Sequence, residues 1–244
     1  MRGTSQEDIY DPVFVKGVFD RCSRRYIAFS YFCSMGFTER WRRQCVAAIP
    51  EPDSPPAEII DMMSGTGEAW AHILERFAAV GHLTAVDISS GMHAHAMDRL
   101  HQMRRDNIRF IEADVLSAEL ESASADVIVS TFGLKTFNAE QHRRLAATIA
   151  RVLKPGGTFS LIEASDPRGW VLRPLYRFHL AAVLPMIERL FMRGAQDFAM
   201  IATYSRNFGD ARGIAAELAN EGLEVEFRRY FFGCATGVVG RKPR

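Results

Sequence analysis

Gly65 and Gly67, one residue apart, and the carboxylate Asp87 about 20 residues farther on are the residues whose types and spacing best suit them to chemistry. Glycines so spaced let the backbone turn sharply and leave no side chain between the turn and a ligand. Asp87 closes the apolar run Leu83-Thr84-Ala85-Val86. At a strand end, such an acid accepts hydrogen bonds from both hydroxyls of a ribose. With Ile59-Ile60-Asp61-Met62-Met63 ahead of the turn, the stretch reads as strand, glycine turn, helix and strand, a nucleotide-binding half-fold.

The kind of nucleotide follows from what the turn lacks. A dinucleotide site needs a third glycine so that helix and strand pack closely beneath a pyrophosphate, and here that position holds Trp70. Glu68, near the helix start, repels phosphate and accommodates an ammonium group. S-adenosyl-L-methionine meets these conditions, with a ribose, an adenine, no phosphate and a zwitterionic amino-acid tail. Alone, Gly-x-Gly is equally an ordinary tight turn; the strand before it and Asp87 after it favour the cofactor.

The elements that must position these residues alternate along the chain. Strands are expected at residues 58–61, 83–86, 108–111, 126–131, 158–163, 223–232 and 235–240, with helices at 69–79, 91–103, 139–153 and 211–220. Alternation of this kind implies an α/β fold, a doubly wound, mostly parallel sheet with helices on both faces. Lys154-Pro155-Gly156-Gly157 reads as a helix stop. The proline-rich linker 50–56 separates a helical cap at 1–49 from a main domain at 57–244, which carries a second helical insertion at 168–206.

Composition narrows the function. A chain of 244 residues, 48% hydrophobic, can bury one large core or one core with a small cap. A net charge of +1 offers no attraction to a nucleic acid. Four scattered cysteines without CxxC spacing or a signal peptide suit reduced thiols in the cytoplasm. The longest apolar stretch, 175–192, is broken by Arg177, His179, Pro185, Glu188 and Arg189, so no spanning helix is expected. His93, His95 and His101 do not share one helical face, and a solvated face is favoured over a metal site.

Gly65-Thr66-Gly67, Ala85-Val86-Asp87-Ile88-Ser89-Ser90-Gly91-Met92, Glu112-Ala113-Asp114, Ser130-Thr131-Phe132-Gly133-Leu134 and Arg151-Val152-Leu153-Lys154-Pro155-Gly156-Gly157 together resemble the class I S-adenosylmethionine-dependent methyltransferases. More narrowly, Phe132-Gly133-Leu134 and the amino-terminal Val18-Phe19-Asp20, Tyr26, Met35-Gly36 and Trp41 resemble the ubiquinone and menaquinone C-methyltransferases. The resemblance implies a Rossmann-like, seven-stranded fold. It also implies a cofactor site of Gly65, Thr66 and Gly67 at the methionyl part, Asp87 and Ile88 at the ribose, Met92, Asp114 and Val115 at the adenine, and Thr131 and Tyr26 nearby. By type alone Met92 is at least as readily a core residue, and a helix cap is the minor alternative for Asp114.

Departures from that family concern the substrate. Its Arg-Asn after Phe-Gly-Leu is Lys135-Thr136 here, and a point charge does not reproduce a planar guanidinium fork. Its polar residues after Tyr26 give way to Ile27, Ser30 and Tyr31, which points away from the ordinary respiratory quinone precursor. His179, Tyr204, Tyr31 and Tyr26 are candidate polar groups for catalysis, although the type of each favours a packed or surface residue. Tyr26, Phe29, Phe32, Met186, Phe191 and Met200 are candidates to line an apolar substrate site. The expected function is methyl transfer to carbon or oxygen of a hydrophobic aromatic, quinone-like or enolic small molecule. The alternative is the same fold using the bound sulfonium for a non-methylating reaction such as cyclisation, or as a binding module. Peripheral membrane contact and homodimerisation are open.

Overall fold

The computed structural model describes residues 8–186 and 197–244, with the side chains of 24–29, 32, 33, 197–199, 201 and 202 outside that description. Seven strands form one sheet in the order β3-β2-β1-β4-β5-β7-β6. They are β1 (Glu58–Met62), β2 (His82–Asp87), β3 (Ile108–Glu112), β4 (Ala125–Thr131), β5 (Leu153–Ala164), β6 (Glu224–Tyr230) and β7 (Ala235–Arg241). The first five are parallel neighbours, and β7 runs antiparallel between β5 and β6. The chain winds outward from β1 to β3 and returns to lay β4 against the other side of β1. Ligands of such sheets sit at this reversal, outside the carboxyl ends of the strands.

Both faces of the sheet are covered, which is why its central strands are apolar throughout. Ile59, Ile60 and Met62 of β1, and Val127, Ile128 and Val129 of β4, are fully buried. Helices α3 (Trp70–Arg76), α4 (Ser90–Met103) and α5 (Ala139–Val152) make the parallel crossovers, and α8 (Arg212–Asn220) precedes β6. Ser89 caps α4 by accepting from the Met92 N–H. Asn138 and Gln141 form a reciprocal capping box at α5. Helices α6 (Arg173–Phe178), continued by a π turn at His179–Val183, and α7 (Asp197–Phe208) lie in the insertion.

Three expectations change. Helix α3 stops at Arg76 because Phe77 leaves helical geometry (φ −115°, ψ 62°) and buries its ring in the core. Lys154-Pro155-Gly156-Gly157 opens β5: the Gly156 N–H donates to the Lys242 carbonyl, and the Lys242 N–H donates to the Gly157 carbonyl. The amino-terminal block is not a uniform cap. Helix α2 (Phe37–Ala47) packs on the sheet, with Trp41, Cys45 and Val46 buried beside Ile59 and Trp70. The Ser160 hydroxyl of β5 donates to the Cys45 carbonyl at 2.7 Å. Helix α1 (Pro12–Cys33) packs on α4 at the open end of the sheet.

Candidate functional site

A cleft opens where β1, β2 and β4 end. Asp87 organises its floor: one carboxylate oxygen accepts from the Gly65 N–H at 2.7 Å and the other from the Ser89 N–H at 2.9 Å. Each oxygen retains a second lone pair for a hydroxyl. Burial pushes this carboxyl above its ordinary value despite those two bonds. Gly65 takes φ +56°, which disfavours any side-chain-bearing residue at the turn. Helix α1 closes one side. Asp20 accepts from the Ser89 hydroxyl and the Gly91 N–H, while the Lys16 ammonium donates to the Ile88 carbonyl at 2.9 Å. Residues more than 60 positions apart thereby fix the loop after β2.

Beneath the turn, Trp70 fills the space that a third glycine would leave open. It is fully buried, and its indole N–H donates to Asp61 at 3.1 Å. A methyl group on Gly67 would meet the Trp70 ring at 2.6 Å, so the second glycine is set by the tryptophan below it. Asp61 is wholly buried, and its other oxygen has no partner among the described residues. Desolvation pushes its carboxyl up from 3.8 to about 7, an effect the Trp70 bond opposes and the Asp87 charge reinforces.

The fold therefore favours protonated Asp61, and that stabilisation is complete below pH about 4 and lost as pH rises through about 7. Asp87 shifts in the same direction, whereas burial lowers His142, whose contribution is lost as pH falls. Comparison with Asp61→Asn isolates the first effect. Between pH 5 and 8 the melting temperature of the wild type should fall relative to the variant by a few degrees, on a scale of about 2–4 °C per kcal/mol. Parallel melting curves across that range would show Asp61 ionised throughout.

Across the cleft, Arg42 and Glu68 form a largely buried ion pair at 2.8 Å, with both side chains facing the cleft. The Arg42 Nε has no partner among the described residues. Glu68 is thus charge-compensated by a residue 26 positions earlier.

Phe132 forms the boundary between this cleft and a second, larger cavity of about 430 Å³, since it lines both. It sits at φ +68°, a strained conformation for a non-glycine residue. The larger cavity lies among α1, α2, α6 and the turn between β6 and β7, with walls that include Trp41, Trp170, Tyr176, Phe178 and Phe231. Among the described residues its lysine is Lys135, whose ammonium donates to Glu163 at 2.7 Å and to the Phe132 carbonyl at 3.2 Å. Glu163 is fully buried and also accepts from the backbone N–H groups of Lys135 and Ala164.

Of the sequence-derived cofactor residues, Gly65, Asp87, Ile88, Met92, Asp114, Val115 and Thr131 line the cleft. Asp114 combines both readings, lining the cleft while one oxygen accepts from the Leu116 N–H. Met92 likewise lines the cleft and is 2% exposed. Thr66 and Gly67 lie outside the lining. Thr66 is buried with its carbonyl bound by Arg99, and Gly67 accommodates Trp70. The side chains of Tyr26, Phe29 and Phe32 and the whole of Phe191 lie outside the described residues.

Among the proposed polar groups, His179 lines the larger cavity, but Tyr31 and Tyr204 line neither space. Tyr204 is a correction: its hydroxyl donates to the Ile9 carbonyl at 2.5 Å, and burial pushes it up to about 12, so it acts as a packing residue. Tyr31 is 61% exposed beside Gly36. Met186 and Met200 also lie outside the cavity lining. Sequence reasoning missed Arg42, Phe132 as a dividing wall, and Glu163. Only the run Phe132-Gly133-Leu134-Lys135 gave any signal for these, since the other partners meet through the fold.

A family model described as the ubiE/COQ5 methyltransferase family matches residues 4–242. The demethylmenaquinone methyltransferase of Lactiplantibacillus plantarum is 26% identical over 230 residues, covering 93% of this chain and 95% of its own. The ubiquinone/menaquinone biosynthesis C-methyltransferase UbiE of Rubrivivax gelatinosus is 31% identical over 233 residues, covering 93% and 86%. The solved mitomycin 7-O-methyltransferase MmcR superposes with a TM-score of 0.63 at 18% identity, over 92% of this chain and 60% of its own. Human N-acetylserotonin methyltransferase, in complex with S-adenosylmethionine, gives 0.61 at 19%, over 94% and 60%. The chain spans about three fifths of these two structures, and at such identities they establish the fold alone. With a family match over nearly its full length, a seven-stranded methyltransferase sheet and full-length relatives, this chain belongs to the ubiE/COQ5 methyltransferase family and is an S-adenosylmethionine-dependent methyltransferase.

Proposed function

We propose that the chain methylates a ring carbon of a quinol- or phenol-type small molecule held in the larger cavity. The observation that carries this reading is Phe132: the cofactor cleft and an apolar cavity of about 430 Å³ meet at one side chain. Cavities of that size enclose small organic ligands. The relatives' names, demethylmenaquinone methyltransferase and ubiquinone/menaquinone C-methyltransferase, point to the same class of acceptor.

The cleft suits S-adenosylmethionine on its own chemistry. Asp87 offers its remaining lone pairs to the ribose hydroxyls, and Asp114 a carboxylate oxygen to the adenine amine. The zwitterionic pair of Arg42 and Glu68, which lines the cleft, complements a zwitterionic amino-acid tail. When bound, the cofactor supplies an electrophilic methyl on a sulfonium.

The protein's part is to activate and align the acceptor. Lys135 has three N–H groups, two of them engaged by Glu163 and the Phe132 carbonyl. The acceptor's hydroxyl releases its proton to solvent, and the third N–H stabilises the resulting phenolate oxygen, which loads electron density onto the adjacent ring carbon. After the new carbon–carbon bond forms, that carbon loses its proton, and His179 is the candidate acceptor in the cavity wall. Apolar walls keep water from competing for the methyl.

Incubation with methyl-labelled cofactor and a panel of quinols, phenols and enols should give a product one methylene unit heavier, with the label on carbon. Label found only on oxygen, on peptide or on nucleic acid would overturn the assignment.

A further inference from the structure

We propose that the mouth of the larger cavity is a membrane-docking surface that seats on a bilayer containing anionic lipid and admits the acceptor from it. Exposed apolar side chains elsewhere on the described surface are scattered, but here they converge. Leu172 (49% exposed), Leu175 (63%), Phe178 (60%), Phe231 (43%) and Met35 (74%) are exposed and also line the cavity. Val171 and Phe232, at 88% and 62%, extend the patch beyond the lining. The cavity therefore opens through an apolar rim.

The backbone holds that rim outward at a cost. Phe231 and Phe232 are consecutive non-glycine residues at positive φ, +42° and +58°. Such strain persists only where the surroundings impose it, and it clusters at functional sites. The Phe232 ring stacks parallel on Trp170 at 5.4 Å, and the Arg229 guanidinium donates to the Phe232 carbonyl at 2.8 Å. The ring stack ties the turn between β6 and β7 to the segment before α6 and builds the patch from two distant parts of the chain.

Charge selects the occupant. Residues 166–178 carry Arg168, Arg173 and Arg177 against the single acid Asp166, a local excess of two positive charges in a chain whose net charge is +1. Asp166 is paired with Arg173 and, at 4.0 Å, with Arg168, while the Arg168 and Arg177 side chains are exposed beside the apolar rim. Apolar side chains beside arginines match the acyl boundary and anionic headgroups of a bilayer. A second copy docking through the same patch would set these arginines against their own kind.

Flotation with vesicles of equimolar phosphatidylglycerol and phosphatidylcholine tests the surface. The wild type should float, less so as salt rises, and Trp170 fluorescence should be quenched by brominated acyl chains. Val171→Ser/Phe232→Ser should lower the partition coefficient about tenfold or more by removing buried apolar area. Arg168→Gln/Arg177→Gln should lower it by a similar factor and flatten the salt dependence. Calorimetry should find unchanged S-adenosylmethionine affinity in both variants, which certifies the fold. Absence of wild-type binding, or equal binding by the variants, overturns the proposal. So does a dimer that these substitutions dissociate in a protein that ignores vesicles. The entry route rests on assigning the cavity to the acceptor, but vesicle binding does not. Retained flotation without methyl transfer to quinols would sink the function and leave the surface standing.

Discussion

Asp87→Ala is expected to weaken S-adenosylmethionine binding by roughly 1.5–3 kcal/mol, the scale of hydrogen bonds to a charged group, or about ten- to a hundredfold in affinity. The substitution removes the acceptor proposed for the ribose hydroxyls. It also frees the Gly65 and Ser89 N–H groups, now held at 2.7 and 2.9 Å, so both the turn after β1 and the loop after β2 lose their common anchor. Asp87→Asn keeps one acceptor for these amides and should fall between the two. Isothermal calorimetry reads both, with NAD as a control that should not bind, because Trp70 occupies the space beneath a pyrophosphate. Unchanged affinity in Asp87→Ala, or tight NAD binding by the wild type, would remove Asp87 from the cofactor site.

The part of this site written in local sequence is the part that local chemistry controls. Gly65, Asp87 and the strands around them follow from apolar runs and a glycine turn, Thr131 follows from the family resemblance, and the structure gathers all three where β1, β2 and β4 end. What the sequence did not disclose is the partner each residue finds across the fold. Gly67 is spaced like a ligand-facing glycine, yet the ring of Trp70 explains it. Glu68 looked like a bare anion, but Arg42 neutralises it from a helix 26 residues away. Tyr204 had the chemistry of a catalytic phenol, but its hydroxyl is spent on Ile9, 195 residues earlier. Aromatic spacing alone does not distinguish a roof from a core, so α2 read as part of a cap although Trp41 and Cys45 are buried against the sheet. Periodicity assigns an element and its apolar face; it does not say which surface that face meets.

Lys135→Met is expected to lower kcat by about 10²–10³-fold, the usual loss when a fixed electrostatic stabiliser of a developing oxyanion is removed. Cofactor affinity should stay within about twofold, because Lys135 lines the acceptor cavity and not the cleft. The single substitution leaves Glu163 buried with only its backbone donors, a cost of about 3–5 kcal/mol where a buried pair is broken. The double variant Lys135→Met/Glu163→Gln removes both charges and should recover stability while turnover stays low. That separation is the decisive readout, since a purely structural lysine would give recovery of both. The pH profile provides a second. With Lys135 present, turnover should saturate below the phenol's own ionisation near pH about 10; without it, the rate should keep climbing toward that value as solvent supplies the phenolate. Lys135→Arg retains the charge but replaces a compact ammonium with a planar fork, so rescue should be partial. Wild-type turnover in the stable double variant would mean that the acceptor is activated elsewhere.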